Sequence, residues 1–120
     1  MWPFGKKPAV AKIPPNPESV RAAIDAVEVE LRRLNHWDVA APTPEALAQA
    51  GAFGQPSLAF EQWLVHIFVP RVRSILEAGG PFPPGSQVGD QAFREWRMWG
   101  DVPDVDELIA RLRAFDALFN

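Results

Sequence analysis

The sequence predicts an all-α fold, a small bundle of four main helices plus a short connecting helix, and three observations carry that prediction. Apolar residues recur at helical spacing in separate stretches, as in Val20, Ile24, Val27, Leu31 and Leu34, where the steps alternate between four and three residues. The signature of a capping side chain, a proline at the first helical position and an acid in the first turn occurs twice, at Asn16-Pro17-Glu18 and Thr43-Pro44-Glu45. Glycine and proline punctuate the chain between the periodic stretches, at Gly51 to Pro56, Gly79 to Gly85 and Gly100 to Pro103.

The 120 residues suit one domain with a modest core, and the 48% hydrophobic and 22% charged fractions are those of a water-soluble globular chain. No apolar run approaches the roughly twenty residues of a membrane span, so no membrane association is expected. The N-terminus lacks an apolar segment followed by small residues, which argues against a signal peptide. With no cysteine there is no disulfide or thiol chemistry, and a cytoplasmic location is expected. The formal charge is −3, yet Lys6, Lys7 and Lys12 all lie in residues 1–15, leaving nine arginines against fifteen acids in the remainder. So acidic a body is a poor general phosphate binder, which weakens any nucleic-acid role without excluding a local arginine patch. Residues 1–15 read as a flexible arm containing proline and lysine, with Trp2 and Phe4 as candidate anchors, and residues 16–120 as a single helical-bundle domain.

The first helix carries one narrow apolar stripe, with Arg21/Asp25 and Glu28/Arg32 as four-apart pairs on its flank, and should stop near Asn35. Trp37, in the following connection, reads as a lid on the end of the bundle. Thr43 opens a short helix to about Gln49. The central helix, residues 57–78, places Phe60, Trp63, Leu64, Ile67, Phe68, Val72, Ile75 and Leu76 over about two-thirds of its circumference, so it should be wrapped by the others. Gln62, His66, Arg73 and Glu77 form its narrow polar strip, expected to face solvent. Pro70 borders that strip and predicts a bend. Ser86 can cap a third, shorter helix on which Val88, Ala92, Trp96 and Trp99 share a face. Asp104 with Glu107 reads as a capping-box variant for the last helix, whose apolar side holds Val105, Leu108, Ile109, Leu112, Phe115 and Phe119.

Three charges violate the pattern: Glu61 and Arg71 on the central helix and Asp116 on the last one. Glu61 and Arg71 are about 15 Å apart along a helix axis and cannot pair with each other. Asp116 also sits in a final helical turn, where the macrodipole disfavours an anion. An ion pair between Arg71 and Asp116, bridging the central and last helices, is therefore expected as a structural charge pair.

Little in the sequence points to catalysis. Two histidines and no cysteine make a metal site improbable, acids such as Glu28/Glu30 diverge on a helix, and no nucleophile motif, phosphate loop or dinucleotide fingerprint occurs. No catalytic residue, cofactor or metal ligand is assigned. The strongest functional hint is five Trp and eight Phe in so small a chain, since Trp, Phe and Arg are the residues of interface anchors. Trp63 and Trp96 read as core, whereas Trp99 is left open between core and surface. Arg94, Arg97, Trp99 and Trp37 are the candidate interaction residues. The favoured reading is a non-catalytic protein-interaction or accessory module, as a monomer or weak homodimer; the alternatives are an RNA-binding adaptor using Lys6, Lys7 and the arginines, and a small enzyme with a pocket beside Glu61 and His36.

Asn35-His36-Trp37, Pro44-Glu45-Ala46-Leu47-Ala48, Phe60-Glu61-Gln62-Trp63-Leu64 running on to Phe68-Val69-Pro70-Arg71, and Phe115-Asp116-Ala117-Leu118 together resemble the YqcC-like family of small uncharacterised bacterial proteins. The likeness covers most of the chain from about Val20. Gly51-Ala52-Phe53-Gly54 stands where the family more often has Gln-Pro-Phe, and Val72 where methionine is common. The resemblance implies an all-helical bundle without established catalytic residues. It also implies a link to tRNA pseudouridylation, because genes of the family are often found beside one for a tRNA pseudouridine synthase, and hence a tRNA-modifying enzyme as protein partner.

Overall fold

A computed structural model describes residues 14–120, all α-helix and connecting loop, with no strand among them. The arm residues Trp2, Phe4, Lys6, Lys7 and Lys12 lie outside the described residues. Helix α1 (Pro17–Arg33) begins where Asn16 accepts the Glu18 amide at 2.8 Å. It ends where Asn35 takes a left-handed conformation (φ 60°), letting the His36 amide reach back to Leu31 O at 2.9 Å. Helix α2 (Pro44–Gln49) is capped by Thr43 through the Ala46 amide at 3.1 Å. Both starts follow the cap-proline-acid signature.

Helix α3 spans residues 60–78, shorter at its start than expected, and is continuous but not uniform. It is α-helical at Phe60–Trp63, opens into a π turn at Leu64–Phe68, and is α-helical again at Val69–Ala78. Pro70 explains the π turn: proline has no amide to give and its ring crowds the carbonyl four residues back, a conflict that a wider turn relieves without ending the helix. Helix α4 covers residues 88–98, α-helical at Val88–Phe93 and a π turn at Arg94–Met98. Helix α5 (Asp106–Ala117) closes the bundle. Its expected cap does not form, because Asp104 itself adopts a left-handed backbone (φ 62°) and the N-cap position falls to Val105, which has no capping side chain. The Asp104 carbonyl instead accepts Arg33 Nη2 at 3.2 Å, tying the end of α1 to the start of α5.

Helix α5 packs on α1 and on α4, while α1 also lies along the second half of α3. Val20, Ile24, Val27 and Leu31 of the α1 stripe are fully buried and Leu34, just past its end, partly so; Leu64, Phe68 and Val72 of α3 and Leu108, Leu112 and Phe115 of α5 are fully buried. Val65 and Val69 are buried too, and Ile67 and Ile75 only half-buried, since the π turn shifts the phase of the apolar face. Aromatic rings form a chain through this core. Trp96 meets Phe60 edge-on at 5.2 Å, Phe60 stacks on Trp63 at 5.6 Å and Trp63 on Phe68 at 5.5 Å. Phe68 then meets Phe115 edge-on at 5.1 Å, and Phe115 lies 4.9 Å from Phe119. Each such contact adds about 0.5–1.5 kcal/mol to the burial itself.

Of the polar strip of α3, Glu77 is exposed as expected, whereas Gln62, His66 and Arg73 face protein. His66 Nε2 contacts Val39 O at 2.8 Å, Gln62 Nε2 donates to Ala40 O at 3.1 Å, and Arg73 pairs with Asp25 at 2.9 Å and Glu28 at 2.8 Å on α1. Four-apart spacing marks a polar edge, and here that edge is what fastens α1 and the loop after it to α3. The Arg73 guanidinium beside Glu28 holds its carboxyl below the usual carboxylate range.

Candidate functional site

The site expected from the sequence lies on α4, and its geometry begins with how that helix starts. Ser86 does not cap it. The Ser86 hydroxyl donates to Asp116 Oδ1, and the Asp116 carboxylate accepts the amides of Val88 at 3.1 Å and Gly89 at 2.7 Å. An acid at the end of α5 thus serves as the N-terminal cap of α4, where free amides and the macrodipole favour a negative charge. The acid expected to pair with Arg71 is thus answered by the neutral donors of Ser86, Val88 and Gly89. Burial raises the Asp116 carboxyl above the ordinary range, opposed by the three hydrogen bonds.

Gly89 permits the approach. A Cβ there would lie 2.7 Å from Arg113 N and 2.9 Å from Arg113 Cα, so only glycine lets the first turn of α4 rest on α5. Asn120 completes the clamp, accepting the Ser86 amide at 3.3 Å and donating to Ser86 O at 3.2 Å.

At its other end α4 divides its two tryptophans. Trp96 is 2% exposed, and its indole N–H donates to Glu61 Oε1 at 2.9 Å, which supplies the partner that the second misplaced acid required. His36 stacks on the same ring at 6.4 Å. His36 and Glu61 are thus both fastened to Trp96, imidazole by stacking and carboxylate by hydrogen bond. Trp99, expected to share the Trp96 face, is instead 62% exposed. The π turn is the reason: the Trp99 amide bonds to Arg94 O at 2.8 Å, five residues back, so one residue more than in an α turn separates them and Trp99 rotates off the core face.

Met98, next to Trp99, is 63% exposed, and Phe93, five residues before Met98, is 38% exposed with the Arg113 guanidinium of α5 5.2 Å over its ring. Sequence reading missed Phe93 and Met98. The available signal was their five-residue spacing, which parallels that of Arg94 and Trp99 and is off-phase for an α-helix. Arg94 and Arg97 are exposed beside them, Arg97 pairing with Asp106 at 3.1 Å. Trp37 is not part of this group by contact: half-buried, it packs on the core, with the Arg32 guanidinium 4.5 Å over its ring, as a lid would.

Among the described residues no cluster of three or more His, Asp or Glu side chains could hold a metal ion, and no helix is long and apolar enough to cross a membrane. The fold and this surface define a class, a small all-α bundle whose distinctive exposed feature is an aromatic and arginine helix end.

Comparison with known proteins narrows the class. The sequence profile of the family DUF446, described as tRNA pseudouridine synthase C, matches residues 19–118, and the chain belongs to this family. It is similar to "Uncharacterized protein YqcC" of Escherichia coli K12, 28% identical over 102 residues, 85% of this chain and 92% of that one. It is also similar to an uncharacterized protein of Haemophilus influenzae, 24% identical over 100 residues, 81% of this chain and 89% of the other. No solved structure matches the chain at a significant level.

Proposed function

We propose that this chain is a non-catalytic accessory module that docks the outer face of the α4 end onto a protein partner, a tRNA-modifying enzyme of the pseudouridine synthase class. The observation that carries the reading is the adjacency of Met98 and Trp99, both more than half exposed, flanked by Phe93, Arg94 and Arg97. Trp, Met and Arg are the residues enriched where proteins meet, and an indole left in water on a bundle that buries Trp63 and Trp96 so fully favours a surface with an occupant. The description attached to the family supports the class of partner. The interior acids support a non-catalytic role, since Glu61, Asp116 and Glu30 are held by Trp96, by the start of α4 and by Arg33. The working compartment on this reading is the cytoplasm.

Calorimetric titration of the full chain with the tRNA pseudouridine synthase C of the same organism tests it. Saturable binding is expected, weakened about tenfold or more by Trp99→Ala with an unchanged melting curve. No heat of binding, or a Trp99→Ala variant that binds equally well, overturns it. Binding of tRNA at low salt that depends on Trp99 would assign the surface to RNA instead.

A further inference from the structure

The apolar side chains at the end of α4 offer an anchor, and the charges around them specify what receives it. We infer that the counter-surface is an apolar recess with a carboxylate at its rim: Met98 and Trp99 enter the recess and Arg94 bridges to the carboxylate. This rests on the docking reading above and adds the chemistry of the partner.

Arg94 is the residue that specifies the charge of the counter-surface. On α4 and α5 the other arginines already have acids: Arg97 pairs with Asp106 at 3.1 Å, Arg111 with Glu107 at 2.7 Å and Arg113 with Asp90 at 3.5 Å. Among the described residues, the Arg94 guanidinium meets only the neutral amide oxygen of Gln91, at 3.3 Å. It is exposed, its charge is not neutralised, and the i to i+5 register of the π turn stands it one turn before Trp99. A planar guanidinium with most of its donors uncommitted is built to take a carboxylate through two parallel hydrogen bonds, and an apolar recess beside that contact would exclude water and strengthen it.

The wider charge favours a protein carboxylate over a phosphate backbone. Residues 88–107 carry Arg94 and Arg97 against six acids, Asp90, Glu95, Asp101, Asp104, Asp106 and Glu107. A polyanion laid across this end would meet most of them, whereas a single carboxylate aimed at Arg94 need not.

Selection of a random peptide library on the immobilised full chain, on Arg94→Glu and on Trp99→Ala tests the inference, both sites being exposed enough for the variants to fold. The wild-type chain is expected to enrich peptides with Asp or Glu next to Leu, Phe or Met. Arg94→Glu should shift that preference to Lys or Arg, Trp99→Ala should abolish enrichment, and a synthesised winning peptide should lose about tenfold in affinity to Arg94→Gln. Peptides that need Trp99 but show no acidic preference, or the same preference on Arg94→Glu, overturn the charge inference and leave docking intact. Absence of any Trp99-dependent enrichment overturns the inference too, and the synthase titration then decides separately whether docking stands. A dimer in sedimentation that Trp99→Ala dissolves gives the face to a second copy of the chain, which likewise overturns it.

Discussion

The two π turns of this bundle are the same local device with opposite results. At Leu64–Phe68 the turn lies in the middle of α3, surrounded by other helices, and the change of phase is absorbed by burying Val65 and Val69 as well as Leu64 and Phe68. At Arg94–Met98 the turn lies at the end of α4, followed in the chain by the Gly100 loop, and the same change of phase leaves Met98 and Trp99 exposed. A π turn therefore fixes only a rotation, and the neighbours decide whether the rotated side chains become core or surface. In α3 a proline accounts for the turn. In α4 no proline does, and the proposed docking surface sits on that second turn.

Substitutions can break this contrast. The largest effect is expected at Trp63→Ala, beside the first π turn, where removing a 1%-exposed indole should cost about 3–5 kcal/mol in urea denaturation. Asp116→Ala should cost about 2 kcal/mol by leaving the Val88 and Gly89 amides without an acceptor, and should loosen the helix that carries the second turn. Gly89→Ala, whose methyl would meet the Arg113 backbone, should cost about 1–3 kcal/mol.

Smaller, and opposite in sign, are two pH effects read from urea midpoints between about pH 3 and about pH 7. The folded-state pKa of Asp116 is raised, so the native protein holds that proton more tightly than the unfolded chain does. Its contribution therefore falls as pH rises from the ordinary carboxylate value through the raised one, and the deficit of Asp116→Asn should shrink over that window. The folded-state pKa of Glu28 is lowered by Arg73, so its contribution is present above the ordinary value and lost as pH falls through the lowered one. The deficit of Glu28→Gln should accordingly grow with pH. The smallest effect belongs to Trp99→Ala, expected to change stability by no more than about 0.5 kcal/mol, and a large loss there would make it a packing residue after all.

The sequence carried the helices whose signals are local. Asn16 and Thr43 cap as their neighbours require, the α1 stripe is buried as its spacing demands, and α5 buries the six apolar residues read from its period. What it did not carry was supplied from far along the chain. Ser86 and Asp104 look like caps, but Asp116 reaches back to do the work at α4, and the left-handed turn at Asp104 removes it from that role at α5. The neutral donors that Asp116 accepts from were not legible, because a search for an opposite charge does not register that amides at a helix start satisfy a carboxylate too. The position of Trp99 was not legible because a projection at constant angle per residue has no place for an inserted residue. Of the proposed surface, Arg94, Arg97 and Trp99 came from composition and placement, and Phe93 and Met98 only from the turn.

The Asp116 clamp has a consequence for how the molecule opens. The amides of Val88 and Gly89 have their acceptor on another helix, so their protons can exchange with deuterated solvent whenever α5 lifts away, even while α4 keeps its internal bonds. Those two positions report separation of the last two helices, and their exchange should track it, distinct from the melting of either helix alone.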